Sequence, residues 1–315
     1  MSTNNLLVIL GPTASGKTKL AVKIAQLIKG EIISADSRQV YRDMNIGTGK
    51  DYLDYVLDGI QIPYHLIDIT DAGSKYNLNR FKQDAEAAFL EISNKKSIPI
   101  LCGGSGLYIQ AVLSDLGFTS IPKNEMLRQK LEDKSLDLLQ EMFLALPKTA
   151  FTLLADIGSQ KRCIRAIEIS SYLCGHPNFE AETYTEKRPF IIGINPSLDN
   201  RRERISARLK QRLQEGLVEE VANLASKGMS PDLFEYYGLE YKFMWRYLQK
   251  EISFDQMFIL LEIAIQQFAK RQMTYFRKME KDGIIINWID GDLPFDKQVE
   301  MAMGMIGNKF NKEIV

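Results

Sequence analysis

Residues Leu6 to Thr18 read LLVILGPTASGKT, five apolar side chains that pass directly into a glycine-framed loop. The loop fits G-x-x-x-x-G-K-[ST], a pattern that carries weight when a strand precedes it and a helix follows. Both are in place. LLVIL has the length and composition of a buried strand, and KLAVKIAQLI (Lys19 to Ile28) repeats its apolar residues at helical spacing. Gly11, Pro12, Thr13, Ala14, Ser15, Gly16, Lys17 and Thr18 then form a diphosphate cradle. Gly11 and Gly16 are expected to take backbone conformations that aim successive N–H groups inward. The helix start adds the positive end of its dipole. Lys17 should reach the phosphate oxygens, and Thr18 should offer its hydroxyl to Mg²⁺. The loop alone leaves the reaction open, because ATP, GTP or another diphosphate ester presents the same unit.

Outward from the loop, strand-like runs alternate with helical stretches. EIISA (Glu31 to Ala35), HLIDI (His65 to Ile69), IPILCGG (Ile98 to Gly104), RPFIIGI (Arg188 to Ile194) and IIINWI (Ile284 to Ile289) read as strands, and LNRFKQDAEAAFLEISNKK as a helix. That rhythm predicts an α/β fold, a P-loop NTPase-like doubly wound parallel sheet covered on both faces. Residues 116–187 are charged and strand-free and read as a helical insertion domain. Residues 1–115 and 188–315 make the core with its C-terminal helices, and the last dozen residues read as a frayed tail.

The bulk numbers narrow the class. The chain has 315 residues, 45% hydrophobic and 25% charged, with 40 basic and 40 acidic side chains and zero net charge. That is an ordinary globular mixture, and any nucleic-acid surface must be a local basic stripe. Cys102, Cys163 and Cys174 with His65 and His176 show no metal-binding spacing and no disulfide framework, which suits a reducing cytoplasm. No apolar run approaches the roughly 20 residues a membrane span needs. The expected state is a cytoplasmic monomer.

EIISADSRQVY ends its strand in Asp36, Ser37, Arg38 and Gln39. Carboxyl ends of strands face the ligand crevice of such sheets, so Asp36 should sit beside the phosphates. It could be a Mg²⁺ partner, a general base or a helix N-cap. With GPTASGKT, EIISADSRQVYRDMNIGTGK, PYHLIDI, IPILCGGSGLYIQAVL, KRCIRAIEI, EGLVEEV and AKRQMTYFR in this order, the chain resembles the tRNA dimethylallyltransferases, also called tRNA isopentenyltransferases, from Leu6 to Arg277. The resemblance implies transfer of a dimethylallyl group from dimethylallyl diphosphate to N6 of the adenine just 3′ of the anticodon in tRNA, with Mg²⁺. It implies Asp36 as the base, Thr13 near the reacting centre and Arg208 meeting the diphosphate. Ser37, Arg38 and Gln39 match residues that contact the target base and its neighbours. GGSGLY (Gly103 to Tyr108) matches the channel where base and donor meet, with Ser105 in place of a usual threonine.

Three basic clusters supply candidate RNA contacts. In RRERISARLKQR, six of twelve side chains are basic, and Arg201, Arg204, Arg208 and Arg212 share one helix face. The others are Lys161, Arg162 and Arg165, and Lys270, Arg271, Arg277 and Lys278, the last with Tyr275 and Phe276 for stacking. A solvated helix face is the plain alternative for each. The chain departs from the family pattern at GTGKD (Gly47 to Asp51) in place of GTAKP, at DIGSQKRCIRA, and at GLEYKF (Gly238 to Phe243). These departures are expected mostly in RNA-facing parts. Strand-end Asp68 could serve a metal or make a structural hydrogen bond, and His65 is equally open. Rival activities on the same loop are prenylation of AMP, a nucleotide or small-molecule kinase, and a catalytically silent RNA-binding relative.

Overall fold

The computed structural model describes residues 4–114, 117–180 and 182–310. They cluster into two compact units, Met1–Ser114 with Thr185–Val315, and Asp115–Tyr184.

The larger unit is built on a six-stranded parallel sheet. Its strands are β1 (Asn5–Leu10), β2 (Gly30–Ser34), β5 (Tyr64–His65), β6 (Ile98–Gly103), β7 (Arg188–Asn195) and β8 (Asn287–Asp290), in the order β5-β2-β6-β1-β7-β8. A separate hairpin pairs β3 (Val56–Leu57) with β4 (Ile60–Gln61). β1 lies between β6 and β7, in register Val8 with Leu101 and with Ile191. Its five apolar residues are fully buried because both faces are covered. Leu6, Val8 and Leu10 join one core cluster, while Leu7 and Ile9 join the other, the two-residue alternation of a strand. On the first face lie α2 (Leu78–Asn94), α3 (Gly106–Leu113) and the run α7 (Leu198–Gln214), α8 (Leu217–Ser226), α9 (Pro231–Tyr237), α10 (Leu239–Leu248) and α11 (Phe254–Lys281). On the second lie α1 (Lys17–Ile28) and α12 (Phe295–Phe310).

Three sequence expectations are corrected. Of HLIDI only His65 is in a strand, the last residue of the two-residue β5, because Leu66 and Asp68 take φ of 64° and 57°, where extended pairing stops. The segment bonds instead to the preceding loop, Asp68 N–H to Gln39 O and Thr70 N–H to Val40 O. IIINWI pairs only from Asn287 onward, since the Ile284 N–H closes α11 by donating to Met279 O. The C-terminal residues 304–310 are helical within α12, and residues 311–315 lie outside the described set.

The smaller unit holds α4 (Glu125–Leu131), α5 (Leu136–Leu144) and α6 (Gln160–Gly175), with no strand among its described residues. Asn124 and Ser135 cap α4 and α5 by accepting the Leu127 and Leu138 N–H groups. Leu131, Leu139, Phe143, Cys163 and Ile167 form its core.

Candidate active site

The loop between β1 and α1 bends as a phosphate cradle must. Positive φ falls at Gly16 (87°) and Ala14 (60°). Gly11 is required by space, since a Cβ there would lie 2.6 Å from both Ile194 O and Ser15 Oγ. Lys17 Nζ donates to Pro12 O at 3.3 Å, folding its side chain back over the loop. Burial lowers the Lys17 pKa, and the charges of Arg208 and Arg212 lower it further against the pull of Asp36. The Cys102 thiol beside it is pushed up to about 11 by burial, so it stays protonated.

Thr13, Lys17, Thr18, Asp36, Ser37, Arg38, Gln39, Ser105 and Arg208 line one cavity of about 250 Å³. Asp36 heads a turn and is not an α-helix cap. Its Oδ1 accepts the Arg38 N–H at 2.8 Å, and Oδ2 has no protein partner among the described residues. Gln39 is committed at both ends of its amide. Its Oε1 accepts the Ser34 hydroxyl at 2.8 Å and its Nε2 donates to Gly49 O at 3.0 Å, so it braces the wall it lines. The Arg38 guanidinium lies 4.7 Å from the Tyr236 ring centroid.

Gln272, the glutamine of AKRQMTYFR, is a site residue that the motif spacing does not mark. Its Oε1 accepts the Thr13 N–H at 2.8 Å and its Nε2 donates to Gly104 O at 2.9 Å, which joins the phosphate loop to the loop after β6. The sequence signal was a lone polar residue on the buried face of α11, between Ala269 and Phe276. Gly104 allows this close approach, because a Cβ there would lie 2.4 Å from Gln272 Nε2, while Gly103 lets Ala35 O lie where a Cβ would be 2.3 Å away.

The arginine face of α7 turns inward. Arg201 donates to Asn195, Arg204 to Gly291 O, Arg208 to Asp51 and Arg212 to Glu240. Arg212 is buried, and desolvation draws its pKa down to about 10. Two of the departures line this cavity. Gly47, Thr48, Gly49, Gly238, Leu239 and Glu240 line the cavity, and Asp51 pairs with Arg208 at 2.8 Å. Asp68 is structural, since it accepts from the buried Lys50 ammonium and from the Tyr52 hydroxyl. His65 pairs with Glu31 at 2.8 Å beside Lys95.

Of the remaining RNA candidates, Lys161, Arg162, Lys270, Arg271, Arg277 and Lys278 are exposed. Arg165 differs. Its guanidinium donates to Ile121 O and Pro122 O and pairs with Glu168, which ties the helical unit together. Phe276 is fully buried, and the Tyr275 hydroxyl donates to Gln110, so neither is an open stacking platform.

The family model described as "IPP transferase" matches residues 39–279. The chain is 48% identical to tRNA dimethylallyltransferase 2 of Phocaeicola vulgatus, over 98% of this chain and 100% of that one. It is 49% identical to tRNA dimethylallyltransferase 1 of Azobacteroides pseudotrichonymphae, over 90% and 92%. Among solved structures, the full-length tRNA isopentenylpyrophosphate transferase of Bacillus halodurans is 32% identical, with a TM-score of 0.71 over 98% of this chain and 97% of its own. A eukaryotic dimethylallyltransferase acting on tRNA shares the fold, with a TM-score of 0.78 at 21% identity over 98% and 80%. Matched by that model across most of its length, and nearly half identical to such relatives from end to end, this chain belongs to the IPP transferase family.

Proposed function

We propose that this protein transfers a dimethylallyl group from dimethylallyl diphosphate to N6 of the adenine 3′-adjacent to the anticodon of tRNA, releasing diphosphate. One observation carries the reading: Asp36, Lys17, Thr18 and Arg208 line the same cavity. The loop N–H groups, Lys17 and Arg208 hold the diphosphate, and their charge favours its departure with the electron pair of the breaking C–O bond. The exocyclic amine is a weak nucleophile because its lone pair is delocalised into the ring. Asp36 takes its proton as the C–N bond forms. Thr13 lies at the reacting end, with its backbone fixed by Gln272.

The donor set suits Mg²⁺. Among the described residues no group of three or more His, Cys, Asp or Glu could form a protein cage. The Thr18 hydroxyl in the cavity is the sparse protein donor of a cation that relies on substrate oxygens and water. Bound there, Mg²⁺ would neutralise part of the leaving group's charge.

The target base must leave the stacked loop to reach Asp36. Ser37, Arg38 and Ser105 face it in the cavity, while Lys161, Arg162, Lys270 and Arg271 meet the RNA backbone. The test is incubation with dimethylallyl diphosphate, Mg²⁺ and either an unmodified anticodon stem-loop or AMP, followed by nucleoside mass analysis. Prenyl mass on the stem-loop adenine is expected. Mass gain on AMP alone, or phosphoryl transfer from ATP, would replace the reading with a rival activity.

Asp36→Asn keeps the acceptor for the Arg38 N–H and loses the base. Turnover should fall about 10²- to 10⁴-fold while donor affinity is retained. Collapse of donor affinity along with rate would assign Asp36 to the metal.

A further inference from the structure

Gly47, Thr48 and Gly49 line the cavity, and their loop, which runs on to Asp51, carries the guanidiniums of Arg208 and Arg212 against its backbone. Gly49 sits there at φ 64°, and a side chain on it would run into both Arg208 and Arg212. The two arginines are partnered differently. Arg212 is buried, and its Nη1 meets Glu240 at 3.5 Å. Arg208 is at the edge of the cavity, with one terminal nitrogen, Nη2, bound to Asp51 Oδ2 at 2.8 Å. Those two side chains are 33% and 48% exposed, so water screens the pair and it is readily exchanged. Arg208 also acts electrostatically on Lys17, which puts its charge within reach of whatever the loop binds.

We propose that Asp51 is an anionic latch on Arg208. It occupies the guanidinium in the donor-free enzyme and yields it to the oxygens of the entering diphosphate. This rests on the cavity being a diphosphate site. A guanidinium recognises a diphosphate best through two parallel N–H donors, and the Asp51 contact takes up one terminal nitrogen. The donor therefore competes with a carboxylate for that nitrogen, and the departing product meets a carboxylate ready to reclaim it. Asp51 is thus a positioning residue that trades donor affinity for product release.

The experiment is calorimetric titration of inorganic pyrophosphate with Mg²⁺ into the full-length chain and its Asp51→Asn, Arg208→Ala and doubly substituted variants. Steady-state kinetics in the donor and a thermal melt of each protein accompany it. Asp51→Asn removes the charge and preserves the shape of an exposed side chain. It should bind pyrophosphate about threefold to fivefold more tightly, the scale of a half-exposed ion pair. The KM for dimethylallyl diphosphate should fall by a similar factor with kcat no higher. In the Arg208→Ala background the same substitution should have no effect on affinity. Asp51→Ala serves as a second probe with the same expected direction. Unchanged or weaker pyrophosphate binding by folded Asp51→Asn would overturn the latch, as would tightening that persists without Arg208. Failure of the unsubstituted protein to bind pyrophosphate would remove the diphosphate reading and the latch together.

Discussion

A single amide, that of Gln272, holds two loops of the cavity in place. It satisfies a backbone N–H in the phosphate loop and a backbone carbonyl after β6, and it is only 8% exposed. Gln272→Leu keeps much of the volume and strands both groups. Loss of about 1–3 kcal/mol of stability is expected, the cost of unpaired buried polar groups. Donor KM should rise alongside, because Thr13 N–H belongs to the loop that binds the diphosphate. A melt matching the parent protein, with donor KM unchanged, would show that the amide is dispensable. At this scale the sequence was legible wherever chemistry is local. Lys17, Thr18 and Asp36 sit in short motifs whose spacing dictates their surroundings, and all three line the cavity. Gln272 was legible only as a polar break in an apolar stripe. Asp51 was visible as a departure, but its partner lies 157 positions away on α7, a pairing that no local pattern encodes.

At the scale of elements, the strands that are buried on both faces were readable as continuous apolar runs, as β1 and β6 show. The edge failed. At β5 the backbone is set by Asp68 contacting Lys50 and Tyr52, which lie outside the segment. α7 carries the same lesson for charge, because its arginine row looked like a nucleic-acid stripe and is spent on internal acceptors. In the helical unit, α6 contributes Glu168, whose side chain is 1% exposed and takes two hydrogen bonds from Arg128 at 2.7 and 2.8 Å. Burial alone would raise its pKa, but the bonds from Arg128 and the Asn124 N–H, with the charge of Arg165, hold it below the usual carboxylate range. A depressed folded pKa means stabilisation that is fully present above the unfolded value of about 4.3. It is lost as pH falls through the folded value. Glu168→Ala should cost roughly 3 kcal/mol at neutral pH, since it leaves Arg128 and Arg165 without their carboxylate. Chemical denaturation between about pH 6 and pH 3 should then show a flatter pH dependence for the variant. Equal slopes for both proteins would mean that Glu168 contributes nothing to acid sensitivity. Arg165→Ala belongs with this brace, and its first effect should be on stability.

For the whole molecule, zero net charge is the constraint that an RNA-binding role must satisfy. A neutral chain gains no long-range pull on a polyanion, so attraction has to come from local clusters. With Arg201, Arg204, Arg208 and Arg212 committed internally, the exposed candidates include Lys161 and Arg162 in the helical unit and Lys270, Arg271, Arg277 and Lys278 in the core unit. The one ion pair described for these six, Arg162 with Asp156 at 3.1 Å, is exposed at 62% and 45% and is therefore cheap to exchange for a phosphate. Each phosphate contact releases condensed counterions, and its signature is the slope of log affinity against log salt. Replacing Lys161 and Arg162 together by Ala should weaken stem-loop binding and reduce the magnitude of that slope by roughly 1.5, the value for two lost contacts. Binding titrations at several salt concentrations measure it. Lys270→Ala with Arg271→Ala should act in the same direction by a similar amount. Prenyl transfer at saturating stem-loop should change far less than affinity in either variant, because neither pair lines the cavity. A parent-like slope in both variants would exclude these clusters as the electrostatic footprint, and the RNA would then have to be held by the cavity residues themselves.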